Sequence, residues 1–150
     1  MTDKVLLVDR KPSVKQYLSL RKAVNFQLMP EDSVARGLDN SLFAVCAVSS
    51  DRIVGMARVI GDGGTCFYVQ DVLVLPEFQG RGLGTRMMER IMDYIGMNAC
   101  QSAVVGLMST KGLEHFYERY GFWKRPTEQF GNGMIQFWGE TMHPVKDLKG

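Results

Sequence analysis

The order of apolar runs and glycine turns predicts a mixed α/β sheet of the α+β type. An antiparallel meander of strands feeds one parallel crossover through a helix. Two features carry this reading. Residues 42–48 (LFAVCAV), 53–60 (IVGMARVI) and 66–75 are apolar runs separated only by short turns at 49–52 and 61–64, which is hairpin spacing. Residues 101–108 (QSAVVGLM) follow an amphipathic helical stretch, and a strand reached through a helix runs parallel to the strand before it.

The remaining elements follow in order. Residues 4–9 (KVLLVD) read as a short first strand. Ser13 followed by Gln16 has capping-box spacing, with Pro12 just before it, so a helix should start there. Val14, Tyr17, Leu18 and Val24 fall on one face of that helix. Pro30, Glu31 and Asp32 open a second helix to about residue 39. Pro76 ends the third meander strand. The helix after residue 82 carries Leu83, Met87, Met88, Ile91 and Ile95 on one side and Arg86, Glu89, Arg90 and Asp93 on the other, and Gly96 should end it. Residues 112–120 form a short helix stopped by Gly121, and residues 133–138 a last strand.

Composition narrows the function. The chain has 150 residues, enough for a single domain with a sizeable core. A net charge of +2 without a basic block argues against nucleic acid as the main partner. No apolar run approaches the ~20 residues of a membrane span, and the first residues are too short an apolar run for a signal peptide. Cys46, Cys66 and Cys100 are isolated and lack metal-ligand spacing, so no metal is expected; they read as core fillers in a reducing, cytoplasmic setting.

The chemistry concentrates in residues 68–95. An apolar strand turns at Pro76-Glu77-Phe78, passes through Gln79-Gly80-Arg81-Gly82-Leu83-Gly84 and becomes a helix. Such a turn makes an anion site from backbone alone, because glycines allow close approach and the first helical N–H groups point outward. The helix dipole adds positive potential there, and a pyrophosphate is the natural guest. Two familiar phosphate motifs fail on residues. A dinucleotide fingerprint starting at Gly80 and Gly82 meets Thr85 where its third glycine belongs, and Val104-Val105 stand where its acidic residue belongs. A Walker A motif needs a lysine, and none lies in residues 78–95.

What matches is Q-x-x-G-x-G, as Gln79, Gly82 and Gly84 between strand and helix. Together with His115-Phe116-Tyr117-Glu118-Arg119-Tyr120-Gly121-Phe122 it resembles the GNAT superfamily of acetyl-CoA-dependent N-acetyltransferases, over roughly residues 42–123. The resemblance implies a sheet whose central strands splay apart, helices on both faces, and acetyl-CoA as co-substrate. Its pantetheine arm would bond backbone groups of Leu73 and Val74 at the splay, which a β-bulge near residues 72–74 accompanies. Its pyrophosphate would rest on Gln79, Gly80, Arg81, Gly82, Leu83, Gly84 and Thr85. Thr110 stands where many members carry an asparagine toward the pantetheine. Gln70-Asp71-Val72 also resembles the Glu-Asp-Ile strand of glucosamine-phosphate N-acetyltransferases, without the rest of their sugar site.

For catalysis the resemblance implies an oxyanion donor at the Val74 N–H and a hydrogen-bond donor or acid to the leaving thiolate at Tyr117. Tyr117 also reads as a core aromatic. Full proton transfer from a phenol to a thiolate costs roughly 2 kcal/mol on reference values, so a hydrogen bond without full transfer is easier. Asp71 is the candidate base or amine-binding group, because a carboxylate is unexpected in an apolar run; it should be either exposed on the bulge or facing the cleft, with water the rival base. His115 and His143 read as surface residues. Met87 and Met88 read as core or cleft lining, and Phe26, Met29, Trp123 and Phe130 as core or acceptor border. The expected acceptor is a small-molecule primary amine. A peptide or protein acetyltransferase and a non-catalytic acyl-CoA-binding module are the alternatives, and a homodimer through the last strand is an option.

Overall fold

The computed structural model describes residues 4–139, which form two compact units divided between Thr110 and Lys111. His143 lies outside the described residues. The first unit holds a five-stranded sheet in the order β1-β2-β3-β4-β5: β1 Leu6–Val8, β2 Phe43–Ser49, β3 Arg52–Gly61, β4 Cys66–Val74 and β5 Val104–Gly106. Strands β1 to β4 pair antiparallel and β4 pairs parallel with β5, so the meander and the crossover are both present. The β2–β3 turn places Ser50 at φ 49° and Asp51 at φ 62°, the left-handed pair whose twist suits a two-residue hairpin.

Helix α1 (Val14–Ala23) begins with a complete capping box: the Gln16 N–H donates to Ser13 Oγ at 3.1 Å, and the Ser13 N–H donates to Gln16 Oε1 at 2.9 Å. Its buried positions are Tyr17, Leu20 and Arg21, with Val24 half-buried, so the face is rotated from the expected one and includes a cation. Helix α2 spans Glu31–Asp39 behind Pro30. Helix α3 spans Leu83–Asn98 and buries Leu83, Met87, Met88, Ile91 and Ile95, the expected stripe. Gly96 does not end it; the helix continues to Asn98, since a glycine near a helix end costs only about 1 kcal/mol against alanine.

The core sits around β2–β4. Every residue from Ile53 to Val59 is buried, on both faces of the strand, as in a strand covered on both sides. Met87 and Met88 are fully buried there and fill core. Cys46 is buried too, whereas Cys66 and Cys100 are exposed and do not fill core.

The second unit contains α4 (Glu114–Glu118). Residues 133–138 form no strand, which corrects the expected last element. Met134, Ile135, Phe137 and Trp138 there are all exposed. The apolar pattern of a strand is not enough without a partner to complete its hydrogen bonds.

Candidate active site

Strand β4 outlasts its parallel neighbour. Pairing with β5 covers only Cys66, Phe67 and Tyr68, against Val104, Val105 and Gly106. Beyond Tyr68, six more residues of β4 run on to Val74 with β5 already ended, which is the expected splay. At the far end, the Leu75 N–H donates to Val54 O at 2.9 Å, toward β3. Backbone groups alternate between the edges of a strand, so the Val74 N–H points to the opposite edge, the one β5 leaves open. The Val74 carbonyl accepts from Gln79 Nε2 at 3.0 Å. At the fork, the Tyr68 ring lies against Gly106; burial pushes its phenol up, partly offset by a hydrogen bond with the Met108 backbone.

The turn after β4 is a short 3₁₀ segment, Pro76–Phe78, followed by the glycines. Gly80 and Gly82 adopt φ of 77° and 78°, the left-handed conformation that L side chains rarely take. A Cβ at either would meet no atom within 4 Å, so the space in front of both is open. Gly82 caps α3 with no side-chain bond, no acidic residue lies in the first turn, and helical bonding starts with the Arg86 N–H to Gly82 O at 3.1 Å. The amides of Leu83 and Gly84 precede that first bond, at the positive end of the helix dipole. This geometry fits a pyrophosphate. The Arg81 guanidinium is occupied locally: it donates to Glu77 O at 3.0 Å and lies 4.7 Å from the Phe78 ring centre.

The bulge falls one residue earlier than expected. Met56 faces Leu73 and Arg58 faces Gln70, so Ala57 alone opposes Asp71 and Val72. Asp71 takes φ 57°, a conformation aspartate tolerates better than most residues. Its carboxylate is neither exposed nor idle. Oδ1 accepts from Arg21 Nη1 at 2.5 Å, and Oδ2 accepts from Tyr17 OH at 2.6 Å and Arg58 Nε at 2.9 Å. The three charged side chains are buried, at 1%, 10% and 11% exposure for Asp71, Arg21 and Arg58. Burial first, and the Asp71 charge second, push the Tyr17 phenol up to about 12, so it donates at neutral pH.

The same network reaches outward. Arg58 Nη1 donates to Ser41 Oγ at 3.1 Å, and Arg21 Nε donates to Gln27 O at 2.9 Å, tying down the α1–α2 connection. Tyr17, Arg21 and Arg58 were not among the expected site residues. One signal was available: Arg58 is a charge inside the apolar run IVGMARVI. Arg21, four residues after Tyr17, shares its face by helical spacing, although nothing in the sequence pairs either with Asp71.

Among the other candidates, Thr110 is exposed and its carbonyl accepts from Ser109 Oγ. Met29 lines a cavity of about 140 Å³ between α1, α2 and β3, while Phe26 stacks on Arg21. In the second unit, Tyr117 is buried against Phe116 and Phe122, and burial raises its phenol. Trp123 and Phe130 pack edge to face, both exposed, and His115 is exposed beside Glu118.

Comparison with known proteins bears on this geometry. The Acetyltransferase (GNAT) domain model matches residues 13–138. A probable acetyltransferase of unknown function from meticillin-resistant Staphylococcus aureus superposes with a TM-score of 0.82 at 35% identity, covering 90% of this chain and 100% of that one. A GNAT family acetyltransferase from Streptococcus pneumoniae superposes at 0.76 with 26% identity, covering 91% and 100%. A ycf52-like N-acetyltransferase of Prochlorococcus marinus is 30% identical over 111 residues, 71% of this chain and 61% of its own length. Serotonin N-acetyltransferase 2 of Oryza sativa, a chloroplastic protein, is 34% identical over 104 residues, 66% of this chain and 50% of its own. The chain therefore spans less than two thirds of these curated relatives. With the family model covering most of its length, and the splayed β4 edge and uncapped glycine turn in place, the chain belongs to the GNAT family of acetyltransferases.

Proposed function

We propose that the protein is an N-acetyltransferase in which a primary amine of a small molecule directly attacks the thioester of acetyl-CoA. The observation that carries this reading is the open edge of β4 running into an uncapped glycine turn. One continuous stretch thus offers strand amides for a pantetheine arm and helix-start amides for a pyrophosphate. Acetyl-CoA supplies the activated acyl group, and the chain supplies position and electrostatics. Leu73 and Val74 would hold the arm through their backbone, and Gln79 to Thr85 would hold the pyrophosphate, with Thr110 in a peripheral role. The Val74 N–H would donate to the carbonyl oxygen as negative charge develops on it.

Tyr117 would hydrogen-bond the departing sulfur. Its raised phenol is a weaker acid than an ordinary tyrosine, which favours hydrogen bonding over full proton transfer. Asp71 takes a different role from a base. Two guanidiniums and a phenol occupy its oxygens, so it holds the bulge that orients Val72 to Val74. The amine proton then leaves through water.

Thiol release from acetyl-CoA across polyamines, arylalkylamines, amino sugars, aminoglycosides and peptides tests the reading. Release with small amines is the expected result. Release with peptides alone would move the assignment to protein acetylation. Tight acetyl-CoA binding with no release at all would make the chain a binding module.

A further inference from the structure

We propose that the acceptor amine carries an anionic group, a carboxylate or a phosphate, which sits in the cavity between α1, α2 and β3 against Arg58. The inference rests on the acyltransferase reading of the site and on the charge balance around Asp71. Arg21 and Arg58 both spend their ion pairs on one carboxylate, that of Asp71. Tyr17, the third donor to that carboxylate, stays neutral. Two cations and one anion leave a net charge of +1 in a largely buried cluster. Buried charge is costly unless it is compensated, and a ligand anion compensates it.

The cavity puts that charge within a ligand's reach. Arg58 and Tyr17 form its inner wall and Val34 and Leu38 its apolar side, while the Gly37 carbonyl accepts from Arg58 Nη1 at 3.5 Å. Met29 and Ser33, both exposed, stand at its mouth. Its volume of about 140 Å³ suits a small group, not a folded partner. Glu31 and Asp32 are exposed at the start of α2 and do not line it. Arg58 is also well placed along the chain: it pairs with Asp71, and Val74 lies three residues further along β4, about 10 Å of extended strand. An acceptor that reaches both places has its amine and its anionic group separated by several bonds.

Calorimetry without acetyl-CoA tests this on the whole protein, using hexylamine, 6-aminohexanoate and 6-aminohexyl phosphate, with glycine as a short control. At least one of the two long anionic amines should bind about tenfold or more tighter than hexylamine, as a charge-assisted hydrogen bond allows, and the better of them identifies the group. Glycine should bind more weakly than 6-aminohexanoate. Ser33→Asp places a negative charge at the mouth from an exposed helix position, and should bring the preference for the anionic amine close to one. Arg58→Lys should keep more of the preference than Arg58→Gln.

Hexylamine binding as tightly as both anionic amines would overturn the proposal, as would no binding of any probe, or a preference unchanged in Ser33→Asp. The two readings fail separately. Anion-selective binding without thiol release sinks the transferase and leaves this site standing. Thiol release that ignores the anionic group does the reverse.

Discussion

Two regions of β4's far end are built on opposite principles. The glycine turn exposes its backbone, with Gly80 and Gly82 in left-handed conformations and open space before them. The bulge at Asp71, nine residues before Gly80, is held by side chains from α1 and β3 that lie 13 to 54 positions away in the chain. A backbone site needs local chain geometry, which glycine spacing encodes. A side-chain network needs the tertiary fold to exist first. The two should therefore break differently: damage to the bulge shows first in stability, damage to the turn first in cofactor affinity.

The largest effect is expected at Asp71. Asp71→Ala leaves two buried guanidiniums without their carboxylate, and breaking a buried pair costs about 3–5 kcal/mol. Urea unfolding should show the midpoint falling accordingly, with Asp71→Asn intermediate. If Asp71→Asn unfolded like the parent while turnover collapsed, the carboxylate would be a base after all and the contrast between the regions would be lost. Alkaline titration examines the same network from Tyr17. Its folded pKa, about 12, lies above the unfolded value near 10, so the unfolded chain loses that proton first as pH rises. The stabilisation is complete below pH 10 and disappears between about pH 10 and 12. Unfolding measured across that window should steepen with pH in the parent, and less so in Tyr17→Phe.

Tyr117→Phe comes next. Loss of the proposed donor to the leaving sulfur should lower kcat about 100-fold, the low end for a positioned acid, while acetyl-CoA affinity stays within about twofold. Because burial raises the phenol, any alkaline fall in parent activity from this group belongs above pH 10. Unchanged turnover would return Tyr117 to the core. For the turn, Gly82→Val forces a branched side chain into φ 78°, a strain of about 1–2 kcal/mol, and crowds the open space. Calorimetry should show acetyl-CoA binding about tenfold weaker or worse. Intact binding would detach the pyrophosphate from this loop.

The contrast also explains what the sequence revealed. The α3 stripe, the capping box at Ser13 and Gln16 and the meander order are all set by near neighbours in the chain, and all appear as read. The bulge was expected, but one residue late, because its position depends on which β4 residue can sit left-handed opposite Ala57. The α1 face differs from the expected one because Arg21 looks like a solvent residue until Asp71 is beside it. Residues 133–138 have strand-like composition, but whether a strand forms depends on an edge to pair with, which no local pattern supplies.

The smallest effects sharpen the border between the two principles, since Gln79 and Arg81 are side chains inside the backbone-built turn. Arg81 spends its guanidinium on its own loop, on Glu77 O and the Phe78 ring. Arg81→Ala should therefore shift acetyl-CoA KM by no more than about threefold, in keeping with an exposed contact of under about 1 kcal/mol. Gln79 differs because Nε2 holds Val74 O, and so couples the start of the turn to the strand residue whose N–H faces the open edge. That bond is worth about 1 kcal/mol, so Gln79→Ala should weaken acetyl-CoA binding about fivefold and lower kcat as the Val74 amide loses its alignment. Gln79→Glu removes the donor while keeping the length, and should do at least as much harm. Steady-state kinetics on the three variants separates the cases: if Gln79→Ala behaved like Arg81→Ala, the turn would need no side chain to hold it to β4.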